Sequence, residues 1–530
     1  MTVRLIMSGA LVGQELAAEF GPLPPAFLPV GVQRLYELQM RELEGAGPVH
    51  LVLPETFAVP EHDAVRLAAL GVEIIPAPEG LKLGEAVVYA LNTIGAGDAP
   101  VHLLHGDTLI ARPPLTIHDL IVAGPRATEY AWAEMEMAAD GRVLRLVDTP
   151  AGEDGHEGWP IAAGYFAFAS GQELLRALTR QRGDFIAGVN HYLAGRAVSA
   201  VQADHWLDFG HLTTFFQSRL AVTTARAFNA VRIDGLTARK SSQDTAKMRA
   251  EAHWLQAAPP GVQIYCARLL GFGLEQGRAF YETEYEFLPV LSELFVYGAV
   301  GRKPWLRILA SCEDMLRALA ATRGESSGDQ ALRALAVDKT IDRLEAFARE
   351  SGTRISTPMS YAGRPCPSLL QIAERLVAAM DLESGRIASA MHGDFCFSNL
   401  LYDSRNRRIK ALDPRGGVDR VPSLYGDLRY DLAKLGHSIV GRYDQIVAGR
   451  CALRRGGGDY ALEFAPVACQ PWLAEALGDL QVDGLGGLSQ AVRAVTVSLF
   501  LSMPPLHADR PDRQQAFVAN ALRLWCELDG

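Results

Sequence analysis

Cysteine is scarce in this chain and never falls in a C-x-x-C pair: there are seven in 530 residues, an odd number. That argues against a disulfide framework and points to free thiols in a reducing, cytoplasmic compartment. Positive charge is not in excess either, with 51 Lys and Arg against 61 Asp and Glu and a formal net charge of -10. Nucleic acid and anionic membranes are thereby disfavoured as main partners, because phosphate surfaces call for a basic face. No apolar run is long enough to span a bilayer, the most apolar late stretch being Ala494 to Met503, and the first residues lack a basic-then-apolar signal pattern. A G-x-x-x-x-G-K-[ST] loop is missing, and Gly271, Gly273 and Gly277 have the wrong spacing for a dinucleotide loop, so they read as a hairpin turn. There is no internal repeat, low-complexity tract or long linker. The length calls for two or three folding units with a short join near Val222 to Ala227.

What is present is concentrated from His392 to Gly417, HGDFCFSNLLYDSRNRRIKALDPRGG. Phosphoryl transfer needs a carboxylate to orient and deprotonate the attacking hydroxyl, and oxygen ligands to hold Mg²⁺ against nucleotide phosphates. His392-Gly393-Asp394, four residues, then Asn399 reproduces the H-x-D-x-x-x-x-N spacing of kinase catalytic loops, with Asp394 as the base. Leu400 to Tyr402, a polar turn from Asp403 to Arg408, and the alternation of Ile409, Ala411 and Leu412 predict a hairpin that delivers Asp413 beside Asn399. Cys396 lies inside this loop, but no base accompanies it, and it reads as a small packing residue.

Upstream, FNAVRIDGLTARKSS (Phe228 to Ser242) reads as a hairpin turning at Asp234-Gly235, with Lys240 just beyond it. A helix follows, with Ser242 as candidate cap and Met248, Ala252 and Leu255 on one face. Glu251 on that helix pairs with Lys240, which would hold the α- and β-phosphates. Lys247 is the rival lysine, expected to be solvated. Phe280 to Val290 reads as a strand and hinge, with Glu284 to Phe287 placed to meet an adenine through the backbone. Asp329 to Glu350 and Ser368 to Leu382 read as core helices.

Together these residues resemble the aminoglycoside phosphotransferase and choline kinase superfamily, whose catalytic loop carries HGD. The resemblance implies an α+β bilobal protein-kinase-like fold, ATP and Mg²⁺ as cofactors, Asp394 as base, Asn399 and Asp413 as metal ligands and His392 as a brace for the loop. It also makes Gly426 to Leu435 a buttressing helix, with Asp431 either binding the catalytic-loop backbone or lying exposed at the helix start. One departure is that Pro414 and Arg415 follow Asp413 where many members have a second acid. Arg415 then either holds an anionic group or pairs with a nearby carboxylate.

The first two hundred residues alternate strand-like runs (the opening MTVRLIM, His50 to Leu53, Val72 to Ile75, Val101 to Leu104, Tyr165 to Phe168) with helical ones, the pattern of an α/β sheet domain. Four pieces in order resemble sugar-phosphate nucleotidyltransferases: Phe27-Leu28-Pro29-Val30, His105-Gly106-Asp107, Ala163-Gly164-Tyr165 and Trp206-Leu207-Asp208-Phe209-Gly210. The resemblance implies a Rossmann-like mixed-sheet domain in which Gly9 and Gly13 of the opening loop approach a nucleotide and Asp107 and Asp208 share a Mg²⁺. The family's loop arginine and Pro-Lys lysine have no counterpart here, the lysine's place being Pro25, and loss of such cations weakens transition-state stabilisation.

The expected layout is a nucleotidyltransferase-like domain over 1–224, a kinase N-lobe over 225–290 and a C-lobe over 291–530. A kinase making a phosphomonoester beside a domain that attaches CTP-, GTP-, UTP- or dTTP-derived nucleotide to it would produce an activated surface-glycan precursor from a sugar, polyol or amino alcohol. The alternatives are a kinase with a silent front domain used for binding or assembly, and a pair of pseudoenzymes. A homo-oligomer is compatible with all three.

Overall fold

The structure is a computed structural model that describes residues 2–45, 47–125, 130–151, 153, 155–224, 230–418, 421–467 and 469–529. The chain divides into two compact units, one of Met1–Thr223 with Tyr297–Ala299 and one of Thr224–Val296 with Val300–Gly530. Phe228, at the start of the expected hairpin, and residues 225–227 of the expected join lie outside the described residues.

The first unit is built on a mixed sheet. Its parallel strands run in the order Val72–Ala77, Val49–Pro54, Val3–Met7, Val101–His105. In chain order that is 3-2-1-4, so the sequence of strands reverses beside the first strand. Ile161–Phe168 then adds antiparallel to Val101–His105. The inner parallel strands are mostly apolar and buried, as strands covered on both faces must be, whereas Val72–Ala77 at the end of the order exposes Glu73, Ile74 and Pro76. Val49–Pro54 is buried at every position. In such sheets ligands bind beyond the carboxyl ends of the strands where the order reverses. The loops leaving the Val3–Met7 and Val101–His105 strands meet there: the Gly106 N–H donates to Met7 O at 2.8 Å.

The second unit begins with an antiparallel sheet in the order Ala230–Asp234, Thr237–Ser242, Arg278–Glu284, Leu269–Glu275. Asp234 pairs with Thr237, so the first hairpin turns at Gly235-Leu236, with Gly235 at φ +56°, one residue later than the sequence signalled. Lys240 therefore sits within the second strand. Gly271 and Gly273 are strand residues, and only Gly277 belongs to the turn. The following helix, Thr245–Ala257, is capped by Asp244, whose Oδ1 accepts the Lys247 N–H at 3.1 Å; Ser242 Oγ accepts the Asp244 N–H instead. Met248, Ala252 and Leu255 are buried as expected.

The rest of the unit is mainly helical, with Arg302–Ala321, Leu369–Ala379, Leu428–Ile439, Gln490–Leu501 and Pro511–Asp529 as its longer elements. One further helix changes pitch, running α over Gly328–Arg333, π over Ala334–Asp338 and α again over Lys339–Ser351. Arg429 clamps this part from inside. Its Nε and Nη2 take Asp427 at 2.8 and 2.7 Å, Nη2 also reaches Asp329, and Nη1 donates to Met380 O and Asp381 O. The seven cysteines are free, and no helix among the described residues is long and apolar enough to cross a membrane.

Candidate active site

The polar residues of 392–415 converge because the chain doubles back on itself. Asn399 ends a single 3-10 turn and leads into Leu400–Asp403, which pairs with Arg408–Ala411. The Leu412 N–H then donates to Asn399 O at 2.8 Å, which sets Asp413 beside Asn399. Asp413 holds φ at +54°. That region costs a non-glycine residue about 1–2 kcal/mol, and such strain concentrates at functional sites.

Asp394 is fixed from two sides. Asn399 Nδ2 donates to its Oδ2 at 2.7 Å and to its backbone oxygen at 3.0 Å, and the Lys434 ammonium donates to Oδ1 at 2.7 Å. Burial alone would push this carboxyl up, but the Lys434 and Arg415 cations outweigh it and hold Asp394 well below the usual carboxylate range. Asp394 is therefore ionised at neutral pH, an acceptor ready for a hydroxyl proton. His392 is fully buried and kept neutral, burial lowering it to about 4. Its Nδ1 accepts the Asp394 N–H at 3.3 Å. Behind the loop, Asp431 accepts the N–H of His392 at 2.8 Å and of Gly393 at 2.7 Å. It is wholly buried, and that burial raises it to about 7. Gly393 cannot be replaced without strain, since its φ is +76° and a Cβ would lie 2.6 Å from that of Arg415.

Lys240 bridges Glu251 Oε2 at 2.9 Å and Asp413 Oδ1 at 3.1 Å. Lys247 is more than half exposed and only 3.8 Å from the other Glu251 oxygen, a solvated neighbour of the pair. The Tyr281 hydroxyl donates to Asp413 Oδ1 at 3.1 Å. Arg415 donates from Nε to Gly393 O at 3.0 Å and from Nη2 to the Tyr430 hydroxyl at 3.1 Å. No carboxylate among the described residues ion-pairs with it. Cys396 is buried and its thiol is pushed up to about 12, so it is no nucleophile.

Lys240, Glu251, Asp394, Asp413, Arg415 and Lys434 line one cleft of about 1080 Å³, which is large enough for a nucleotide and a small acceptor together. His392 and Asn399 bond to Asp394 rather than lining it. With Asn399 Nδ2 committed to Asp394, Asn399 Oδ1 and the half-exposed Asp413 carboxylate are hard oxygen donors of the kind Mg²⁺ prefers. Among the described residues no group of three or more His, Cys, Asp or Glu could hold a metal. A Mg²⁺ here would complete its shell from phosphates and water, as this ion commonly does.

In the first unit, Thr108–Ile110 pairs with Trp206–Asp208, so Asp208 faces Thr108 and the Phe209 N–H donates to Asp107 O at 2.8 Å. A Cβ on Gly210 would lie 2.5 Å from Asp107 Oδ2 and 3.3 Å from Asp208 Oδ1, so both carboxylates border the space above Gly210. Burial and the charge of Asp208 raise Asp107, against the opposing pull of His105. His211 Nδ1 lies 2.8 Å from Asp208 Oδ2, and that carboxylate raises His211 despite its burial. Gly13 is exposed with open space around it, and a Cβ on Gly9 would lie 3.3 Å from a Val52 methyl and 3.9 Å from Ala77 Cβ. Neither takes a positive φ, so backbone conformation does not require glycine at either position.

Several contributors carried no sequence signal of their own. Lys434 read only as part of a helix, Tyr281 as part of a strand, and Lys339 and Arg343, which also line the cleft, only as part of the helical stretch from Asp329 to Glu350. Spacing within one helix cannot tell which face meets a loop encoded far away.

No known family pattern matches the chain, and no curated protein does. Among solved structures, the chain is similar over part of its length to HddC from Yersinia pseudotuberculosis, at 18% identity, 42% of this chain, 100% of that one and a TM-score of 0.33. It is similar to UTP-bound UGPase from Acinetobacter baumannii at 14% identity, 43% of this chain, 95% of that one and a TM-score of 0.33. It is also similar to a thermostable mutant of aminoglycoside phosphotransferase APH(4)-Ia, at 12% identity, 56% of this chain, 89% of that one and a TM-score of 0.36.

Proposed function

We propose that the second unit transfers a phosphoryl group from ATP to a hydroxyl of a small molecule. The observation that carries this is the convergence, in one cleft, of an ionised Asp394 pinned by Lys434 and Asn399 with Asp413 and the Lys240–Glu251 pair. Asp394 accepts the hydroxyl proton as the bond to phosphorus forms, and Lys240 faces the α- and β-phosphates. Asn399 Oδ1 and the Asp413 carboxylate would hold a Mg²⁺, which would supply charge neutralisation on the nucleotide.

In this proposal the first unit attaches a nucleotide to the phosphorylated product, with Asp107 and Asp208 holding its Mg²⁺, as a step toward a surface-glycan precursor. The two carboxylates over Gly210, at the point where the strand order reverses, support this part. A second version keeps the kinase and leaves the first unit as a binding or assembly module, acting in a cytoplasmic enzyme. It is favoured by the stretch from Gly9 to Gly13, which contains no basic side chain.

The test is to incubate the full chain with ATP, Mg²⁺ and a broad panel of sugars, polyols and amino alcohols, and to follow ADP and phosphorylated product by mass spectrometry. Addition of CTP, GTP, UTP or dTTP with that product should then release pyrophosphate. A panel with no phosphorylated member removes the kinase. Phosphorylation without pyrophosphate release selects the second version.

A further inference from the structure

The cleft has a cationic wall, two members of which, Lys339 and Arg343, the proposed chemistry leaves unused. Lys339 and Arg343 stand one helical turn apart, and both line it with Arg415 and Lys434. Lys434 is committed to Asp394. Among the described residues no carboxylate ion-pairs with Lys339, Arg343 or Arg415, and Arg343 donates only weakly to Ser502, at 3.4 and 3.5 Å. Asp338 and Asp342 are exposed on the same helix and also line the cleft, but neither pairs with these cations.

The helix is shaped for this placement. Lys339 follows directly on the π stretch Ala334–Asp338, and π turns re-aim the residues after them and occur often at functional sites. The stretch is anchored by Ser498, whose hydroxyl donates to Ala336 O and bonds Thr340 Oγ1. Lys339 feels the cations Arg415, Arg343 and Lys434, with Asp394 the opposing charge, and burial together with those cations lowers it to about 6. Three like charges held near a buried ammonium are unfavourable unless something anionic faces them.

We propose that the acceptor carries an anionic group, a carboxylate or a phosphate, seated against Lys339, Arg343 and Arg415 while its hydroxyl faces Asp394. This rests on the kinase reading of the cleft. An amino-alcohol acceptor is disfavoured on the same grounds: an ammonium would meet like charge, and the Tyr430 ring, a candidate face for it, already has the Arg415 guanidinium 5.3 Å from its centre.

Matched acceptors decide it: glucose, glucosamine, glucuronate and glucose 6-phosphate, with calorimetric binding of glucuronate and inorganic phosphate measured beside turnover. The anionic acceptors should exceed glucose in kcat/KM by about ten-fold or more, and glucosamine should be poorest; which anion leads separates carboxylate from phosphate. Lys339→Gln and Arg343→Gln should raise the acceptor KM about ten-fold with the ATP KM unchanged, and Lys339→Arg should restore most of the loss. Anion binding should take up protons from buffer near pH 7, seen as a buffer-dependent heat that Lys339→Gln removes. Preference for glucose or glucosamine, or a raised ATP KM in place of the acceptor KM, overturns the proposal. Anion binding without turnover of any acceptor upholds the anionic seat and sinks the kinase reading, whereas neither binding nor turnover sinks both.

Discussion

The Lys434 ammonium lies 2.7 Å from Asp394 Oδ1 and, with Arg415, holds that carboxyl ionised against the opposing effect of burial. Without those cations burial would raise the carboxyl, and a protonated acid cannot accept a hydroxyl proton. Lys434 thus favours the ionised form of the proposed base Asp394, and Asn399 sets its orientation.

Replacing Lys434 with Met should lower kcat by about 10²- to 10³-fold, on the scale of losing general-base function. With its main cation gone, Asp394 rises toward the value burial dictates. The acid limb of the kcat/KM profile should therefore move to higher pH, which a rate profile between pH 4 and 9 reads directly.

The Lys240–Glu251 pair is buried, so removing one partner leaves a charge uncompensated. Lys240→Met should destabilise the second unit by about 3–5 kcal/mol. The double variant Lys240→Met/Glu251→Met should be less destabilised than the sum of the singles, since the two residues touch. Denaturant melts of the four proteins measure the coupling, and strict additivity would show that the pair contributes nothing as a pair.

Asp431 gives a pH signature of its own. Its folded value, raised to about 7, lies above the ordinary value of 3.8. In that interval the folded chain holds a proton the unfolded chain has released, so its contribution to stability is complete below about pH 4 and is lost as pH rises toward 7. Asp431→Asn cannot lose that proton. Its melting temperature relative to the parent should climb between pH 4 and 7 and level off above, and a difference independent of pH would contradict this.

The parts of the site that lie close in sequence were legible before the fold. His392, Asp394, Asn399 and Asp413 fall within one loop and hairpin, so spacing alone places them together. Lys240 and Glu251 were found because a strand and the helix after it carry one charge each. The cap and the turn were displaced by a residue or two, because Asp244 outcompetes Ser242 for the helix N-terminus and cross-strand register sets the turn at Gly235-Leu236. Lys434, Arg429, Lys339 and Arg343 were not legible as site residues: Lys434 meets Asp394, Arg429 meets Asp329 and Met380, and Arg343 meets Ser502 across long stretches of chain, through helix packing that periodicity cannot orient. Asp431 was legible only as one of two options, and its burial decides between them.

In the first unit, Asp107→Asn should abolish pyrophosphate release while leaving ADP formation within about two-fold of the parent, because the mutation lies in a separate compact unit. Equal loss of both activities would show that the two units do not work independently.

The most direct measurement is the steady-state rate of ATP-dependent phosphorylation by Asp394→Asn against the parent, with matched melting curves to confirm folding. Loss of about 10³-fold or more in kcat, with the ATP KM little changed, is the predicted result. An Asp394→Asn protein as active as the parent would contradict the assignment of this cleft as a phosphoryl-transfer site.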